Sequence, residues 1–132
     1  MYGEVFDHDQ INEATHEALH EAFGVANLET FKQISLAIRK GHVVSADGDD
    51  VYLPAAESLK LPIAFLHGEH NRLFLPEGSA VTYGYLRHRN GPERYTRHVF
   101  KDYAHMDCFI GKNASVDVYP LVAAELDRHN PA

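Results

Sequence analysis

The apolar positions fall into two different rhythms along the chain. From Asp9 to Phe23 they are Ile11, Ala14, Ala18, Leu19, Ala22 and Phe23, a helical spacing that predicts an amphipathic helix capped by Asp9 and closed by Gly24. A second helix is predicted to open at Asn27, to carry Glu29 in its first turn and Phe31, Ile34 and Ile38 on one face, and to stop at Gly41 after Arg39 and Lys40. The rhythm then breaks. Val43-Val44, the turn Asp47-Gly48-Asp49-Asp50 and Val51-Tyr52 predict a small hairpin or an extended excursion. The three aspartates there lack the alternating oxygen ligands and distal glutamate of a calcium loop, so turn chemistry explains them.

From Leu59 to Gly68 the pattern is a nearly continuous apolar run, entered by Pro62 and closed by Gly68. This is the pattern of a strand buried on both faces of a parallel sheet. A polar loop from Glu69 leads to a helix from about Glu77 to His88, ended by Asn90-Gly91-Pro92. Tyr95 to Phe100 alternates as a second strand, a loop around His105 follows, and a last helix runs from about Asp117, with Pro120 in its first turn. Strand, loop, helix, strand, loop, helix is the repeating unit of an α/β fold with a parallel sheet.

Composition narrows the class. A chain of 132 residues with 45% hydrophobic and 23% charged residues is one ordinary globular domain. A net charge of −7, with the few clustered basic residues at Arg87, Arg89, Arg94 and Arg97, argues against a nucleic-acid partner. No apolar run approaches the roughly 18 residues needed to span a bilayer, and no basic-then-apolar signal pattern opens the chain. A cytoplasmic protein without an export signal is expected. Its single cysteine, Cys108, excludes an internal disulfide framework.

Two stretches carry candidate chemistry. His16-Glu-Ala-Leu-His20 fits the H-E-x-x-H pattern of zinc hydrolases, in which two histidines share a metal and the glutamate activates its water. At about 100° per residue, however, His16, Glu17 and His20 fall away from the apolar face centred on Ile11, Ala18 and Ala22, and spacing identifies no third ligand. No metal is expected.

The second stretch is the pair of loops after the two strands. Active sites of open parallel sheets gather at the carboxyl ends of strands, which makes Glu69 to Arg72 and Tyr103 to Asp107 neighbours. His105 is the candidate general base, with Glu69, Asn71 or Asp107 available to orient it.

These residues also carry a family resemblance. Leu61-Pro-Ile-Ala-Phe-Leu-His-Gly-Glu-His-Asn71, Tyr103-Ala-His-Met-Asp-Cys-Phe-Ile-Gly111 and Asp117-Val-Tyr-Pro120 resemble the C-terminal end of an α/β-hydrolase. The subgroup they resemble most is the lipase-like domains found beside, or fused to, cholesterol-oxidase-type flavoprotein oxidoreductases. Pro76-Glu-Gly-Ser79 and Arg89-Asn-Gly-Pro-Glu93 are similar to it as well, and the resemblance extends over nearly the whole chain. It implies a partial α/β-hydrolase fold: a lid-like helical region over 1–58, and the last two parallel strands with flanking helices over 59–132. It also implies that His105 is the catalytic histidine and that Asn71 stands where most hydrolases of this fold carry the triad aspartate. An asparagine cannot stabilise an imidazolium by charge, so Glu69 or Asp107 is the candidate replacement.

The nucleophile elbow G-x-S-x-G of that family does not occur in these 132 residues, and neither does the flavin-binding turn G-x-G-x-x-G. Ser79 follows the acid position and opens a helix, while Cys108 among apolar neighbours reads as a buried small residue. The resemblance therefore implies the C-terminal part of an ester or lipid hydrolase, a split gene product or a truncated reading frame, inactive alone. Such a chain is expected to self-associate or to pair with a complementary N-terminal chain that covers the open sheet edge. A noncatalytic interaction module derived from the same domain is the alternative.

Overall fold

The computed structural model describes residues 5–22, Gly24 and 27–130. Helices and a parallel sheet are mixed in it, in the order α1 (Glu13–Ala22), α2 (Leu28–Lys40), β1 (Ile63–Gly68), α3 (Pro76–Asn90), β2 (Tyr95–Phe100), α4 (Asp107–Ile110), α5 (Ala114–Asp117) and α6 (Tyr119–His129). Short 3-10 turns at His8–Gln10, Pro54–Ser58 and Pro92–Arg94 punctuate them.

Local chemistry sets most element ends. The Asn27 side chain accepts from the Glu29 N–H at 2.9 Å, and Gly41 closes α2 in the left-handed conformation at φ 75°; such a cap is typically worth about 1 kcal/mol. Pro76 opens α3 and Pro120 opens α6, where a missing backbone donor costs no helical bond. The start of α1 differs from the expectation. Asp9 lies in the 3-10 turn capped by Asp7, and it is Asn12 that caps the helix, accepting from the Thr15 N–H at 2.8 Å. Ile11 therefore precedes the helix, and among the described side chains of α1 Leu19 is buried while Ala18 is exposed. The predicted helix end at Phe23 lies outside the described residues.

No hairpin forms between His42 and Tyr52. Ser45 and Asp49 exchange a backbone and a hydroxyl bond around Gly48, at φ 88°, and the flanking valines form no strand. The excursion folds back on α2, where Gln33 donates to the Val44 carbonyl and Val44 is fully buried.

Among the described residues the sheet has two strands, paired in parallel from Ile63 opposite Tyr95 to Gly68 opposite Phe100. Strand alternation sends successive side chains to opposite faces. On one face Ile63 and Phe65 pack with Tyr83, Leu86, Tyr95 and Ala56, and Arg97 reaches the start of α3 through Ser79 and the Pro76 carbonyl. On the other face Ala64 and Leu66 look toward Val122 of α6, and His98 bonds Glu125 of the same helix at 3.1 Å. Each face thus has one helix over it. β1 is nevertheless only half-buried along Ile63–His67, not enclosed on both faces as its apolar run predicts, because one helix per face leaves its flank open.

Candidate functional site

The two loops that leave the strand ends are joined backbone to backbone. The Glu69 N–H donates to the Phe100 carbonyl at 2.9 Å and the His70 N–H to the Tyr103 carbonyl at 2.8 Å. The approach is so close at Gly68 that a side-chain carbon there would lie 2.2 Å from the Ala104 oxygen. Glycine is what lets the histidine loop cross the end of β1. Asp102, at φ 62°, makes the sharp exit from β2; aspartate tolerates this left-handed conformation better than most side chains.

Across this junction Asn71 and His105 meet, with the Asn71 Nδ2 3.1 Å from the His105 Nδ1. Asn71 is buried, and its other amide atom is committed. Oδ1 accepts from the Leu73 N–H at 3.1 Å and the Phe74 N–H at 2.9 Å. Turning the amide round would set its NH2 against two N–H donors, a loss of about 1–3 kcal/mol for each group left unsatisfied. The Phe74 ring lies 5.2 Å from the imidazole, and the Phe74 carbonyl accepts from the His67 Nε2 at 2.8 Å. Burial, helped by the nearby His67, pulls the His105 pKa below its ordinary value.

The pair stands at a cavity of about 320 Å³ lined by Leu66, Phe74, Cys108, Phe109, Val118 and Val122, with His67, Asn71, His105 and Tyr119 as its polar-bearing residues. Tyr119 donates its hydroxyl to the Phe109 carbonyl. A larger cavity of about 400 Å³, along Pro62, Ala64, Leu66 and α6, lies beside the open flank of β1 and contains neither Asn71 nor His105.

The other sequence candidates have different duties. Asp107 is fully buried, and the bonds found for its carboxylate are to backbone: it accepts the Ala104 N–H at 2.8 Å and the Asp7 N–H at 3.2 and 3.0 Å. Burial pushes its pKa up, although those two backbone bonds pull the other way. Glu69 is exposed, accepting weakly from the Asp102 N–H at 3.4 Å. Asp117 takes the Tyr103 hydroxyl at 2.7 Å and so braces the histidine loop from α5. The Cys108 thiol is buried, and desolvation followed by the charge of Asp107 pushes its pKa up to about 11, far from a thiolate nucleophile. Ser79 donates to the Pro76 carbonyl and accepts from Arg97, on the α3 face of the sheet.

The H-E-x-x-H stretch does lie on α1. His16 and Glu17 are exposed, with the His16 ring 5.7 Å from that of His8, while the His20 side chain falls outside the described residues. Glu69, His70 and Asp102 bring three possible ligand atoms within 4.8 Å of one another, but all three side chains are exposed and we read them as a solvated charge cluster. No helix among the described residues is long and apolar enough to cross a membrane.

Sequence reasoning offered Asn71 beside Glu69 and Asp107 as a neighbour of His105 without choosing among them, and missed His67 and Phe74. His67 had a signal, being a polar residue at the carboxyl end of an apolar strand. Phe74 had none, since it reaches the ring only because Asn71 folds its own loop over. Comparison of the chain with family models, with curated proteins and with solved structures finds no match among any of them.

Proposed function

We propose that the chain is the histidine-bearing segment of a serine-type ester or lipid hydrolase domain of the α/β-hydrolase kind, and that alone it does not turn over an ester. The observation that supports this most is the Asn71–His105 contact, made between the loops after two adjacent parallel strands and at the mouth of an apolar cavity. That is where open α/β sheets concentrate their chemistry. In this reading His105 and the cavity form half of a cleft, a complementary chain brings the nucleophile, and the two-stranded sheet gains neighbours on its unpaired edges. Association with a second copy of the chain is the other way to cover those edges. The link to cholesterol-oxidase-type proteins belongs to this same reading and brings no flavin site with it, because no G-x-G-x-x-G turn is present.

The test is reconstitution. The full chain is mixed with an upstream α/β-hydrolase segment carrying strand, elbow and helix, and release of nitrophenol from a short-chain nitrophenyl ester is followed. Neither partner alone is expected to exceed background. The mixture should, and His105→Ala should abolish the gain. Light scattering that finds a stable monomer at high concentration, with no association in the mixture, would count heavily against the reading.

A second reading, a noncatalytic binding module descended from such a domain, is favoured by the chemistry of the cavity wall. Its one thiol is held protonated and no serine lines it. Association with the upstream segment without any ester cleavage would select this reading.

A further inference from the structure

We infer that Asn71 is a positioning residue that, in the chain alone, holds His105 as the Nε2–H tautomer, so that the imidazole offers the cavity a hydrogen-bond donor instead of a base until a completing chain changes its partner. The amide nitrogen of Asn71 has hydrogens and no lone pair to offer, so its 3.1 Å contact with the His105 Nδ1 is bonding only when Nδ1 is unprotonated. The amide cannot turn to present oxygen, because that oxygen already receives the Leu73 and Phe74 N–H groups at 3.1 and 2.9 Å. A neutral imidazole with a bare Nδ1 carries its proton on Nε2. No hydrogen bond to Nε2 is found among the described residues.

The arrangement is the reverse of a histidine–carboxylate pair. There the acid accepts from Nδ1–H, leaves Nε2 bare to take a proton, and stabilises the cation that results. Here the imidazolium would aim Nδ1–H at an NH2 group, an arrangement that disfavours the cation.

The donor also constrains what the cavity takes. Its wall is largely apolar and includes no lysine or arginine, so a carboxylate or phosphate would be buried without a countercharge. The fitting class is a neutral molecule with an apolar body and one carbonyl oxygen to accept from Nε2–H, such as an ester, amide or ketone. This ligand class rests on the cleft being a binding site, as in the proposed function; the tautomer does not.

The experiment is long-range proton–nitrogen correlation on the full chain with nitrogen-15-labelled histidine, His105 being assigned through His105→Gln. At pH 7.5 the expected His105 pattern is a bare Nδ1 and a protonated Nε2. Asn71→Asp keeps an oxygen for Leu73 and Phe74 and puts a carboxylate oxygen against Nδ1. It should move the proton to Nδ1 and raise the titration midpoint by about one pH unit or more. A wild-type spectrum with protonated Nδ1 overturns the inference whether or not the variant folds, and so does a variant with unchanged tautomer and midpoint. Methyl octanoate should then shift the His105 nitrogen signals while octanoate leaves them in place. Equal responses to both, or none to either, overturn the ligand class and leave the tautomer standing.

Discussion

The backbone N–H of Asp7 donates to both carboxylate oxygens of Asp107, at 3.2 and 3.0 Å, across a separation of 100 residues. This pair, with the Met106 N–H donating to the Val5 carbonyl at 2.8 Å, binds the start of the described chain to the loop that carries His105. The acid beside the histidine in sequence therefore serves the loop's anchorage, and the orienting contact on the ring comes from Asn71.

Asp107→Asn tests the anchorage. One of its two oxygens becomes an NH2 group that faces backbone donors, so a loss of about 1–3 kcal/mol is expected in urea denaturation. Hydrogen exchange at the Asp7 and Ala104 amides should accelerate, while the contact between Asn71 and His105 is left chemically intact.

Gly68→Ala should be worse. The added carbon would stand 2.2 Å from the Ala104 oxygen and 2.3 Å from the Tyr103 oxygen, both backbone atoms that cannot swing aside. The loops must separate, at a cost of about 3 kcal/mol or more, at the upper end for overpacking. Thermal unfolding with a midpoint near that of the wild type would refute the close crossing.

The titration of His105 should respond in a fixed order. Phe74→Ala admits water to the ring and acts on the larger cause of the shift, burial; His67→Gln acts on the smaller, the neighbouring charge. Both should raise the midpoint seen by NMR, the first by more. The sign for stability follows: with its folded pKa below the unfolded value, His105 favours folding fully above about pH 6.5 and less as the pH falls from there toward the folded value. His105→Gln should remove that part of the decline.

Glu125 governs a lower pH range. Burial pushes its carboxyl up, but the His98 hydrogen bond and the charge of Arg128 outweigh it and hold the pKa below the ordinary value. Its contribution is present above the unfolded pKa of about 4.5 and disappears as the pH falls through the folded one. Denaturation midpoints of wild type and Glu125→Gln should therefore converge on acidification below that range. The difference between the two proteins isolates this group from Asp107, whose raised pKa acts in the opposite direction.

The sequence by itself determined the elements that depend on near neighbours. Asn27 and Gly41 bracket α2, Gly91 and Pro120 set the ends around β2 and α6, and two strands separated by a helix were bound to run parallel. From that order the loops Glu69 to Arg72 and Tyr103 to Asp107 were expected to be neighbours, since each follows a strand at the same end of the sheet, but the order left Glu69, Asn71 and Asp107 open as partners of His105. Even the start of α1 lay within this short range, although Asn12 won over Asp9 as the cap.

Only the tertiary structure decided which atoms face each other. The sequence argument offered Asp107 the imidazole alone as a partner; in the fold its carboxylate is taken by the Ala104 N–H and by the Asp7 N–H from 100 residues away. Phe74 reached His105 because the Leu73 and Phe74 N–H groups claimed the Asn71 oxygen, and that same claim left only the amide nitrogen to meet the ring. Periodicity and capping are written in residues a turn apart, whereas the direction of a buried amide is set by competition among donors that the folded chain alone brings together.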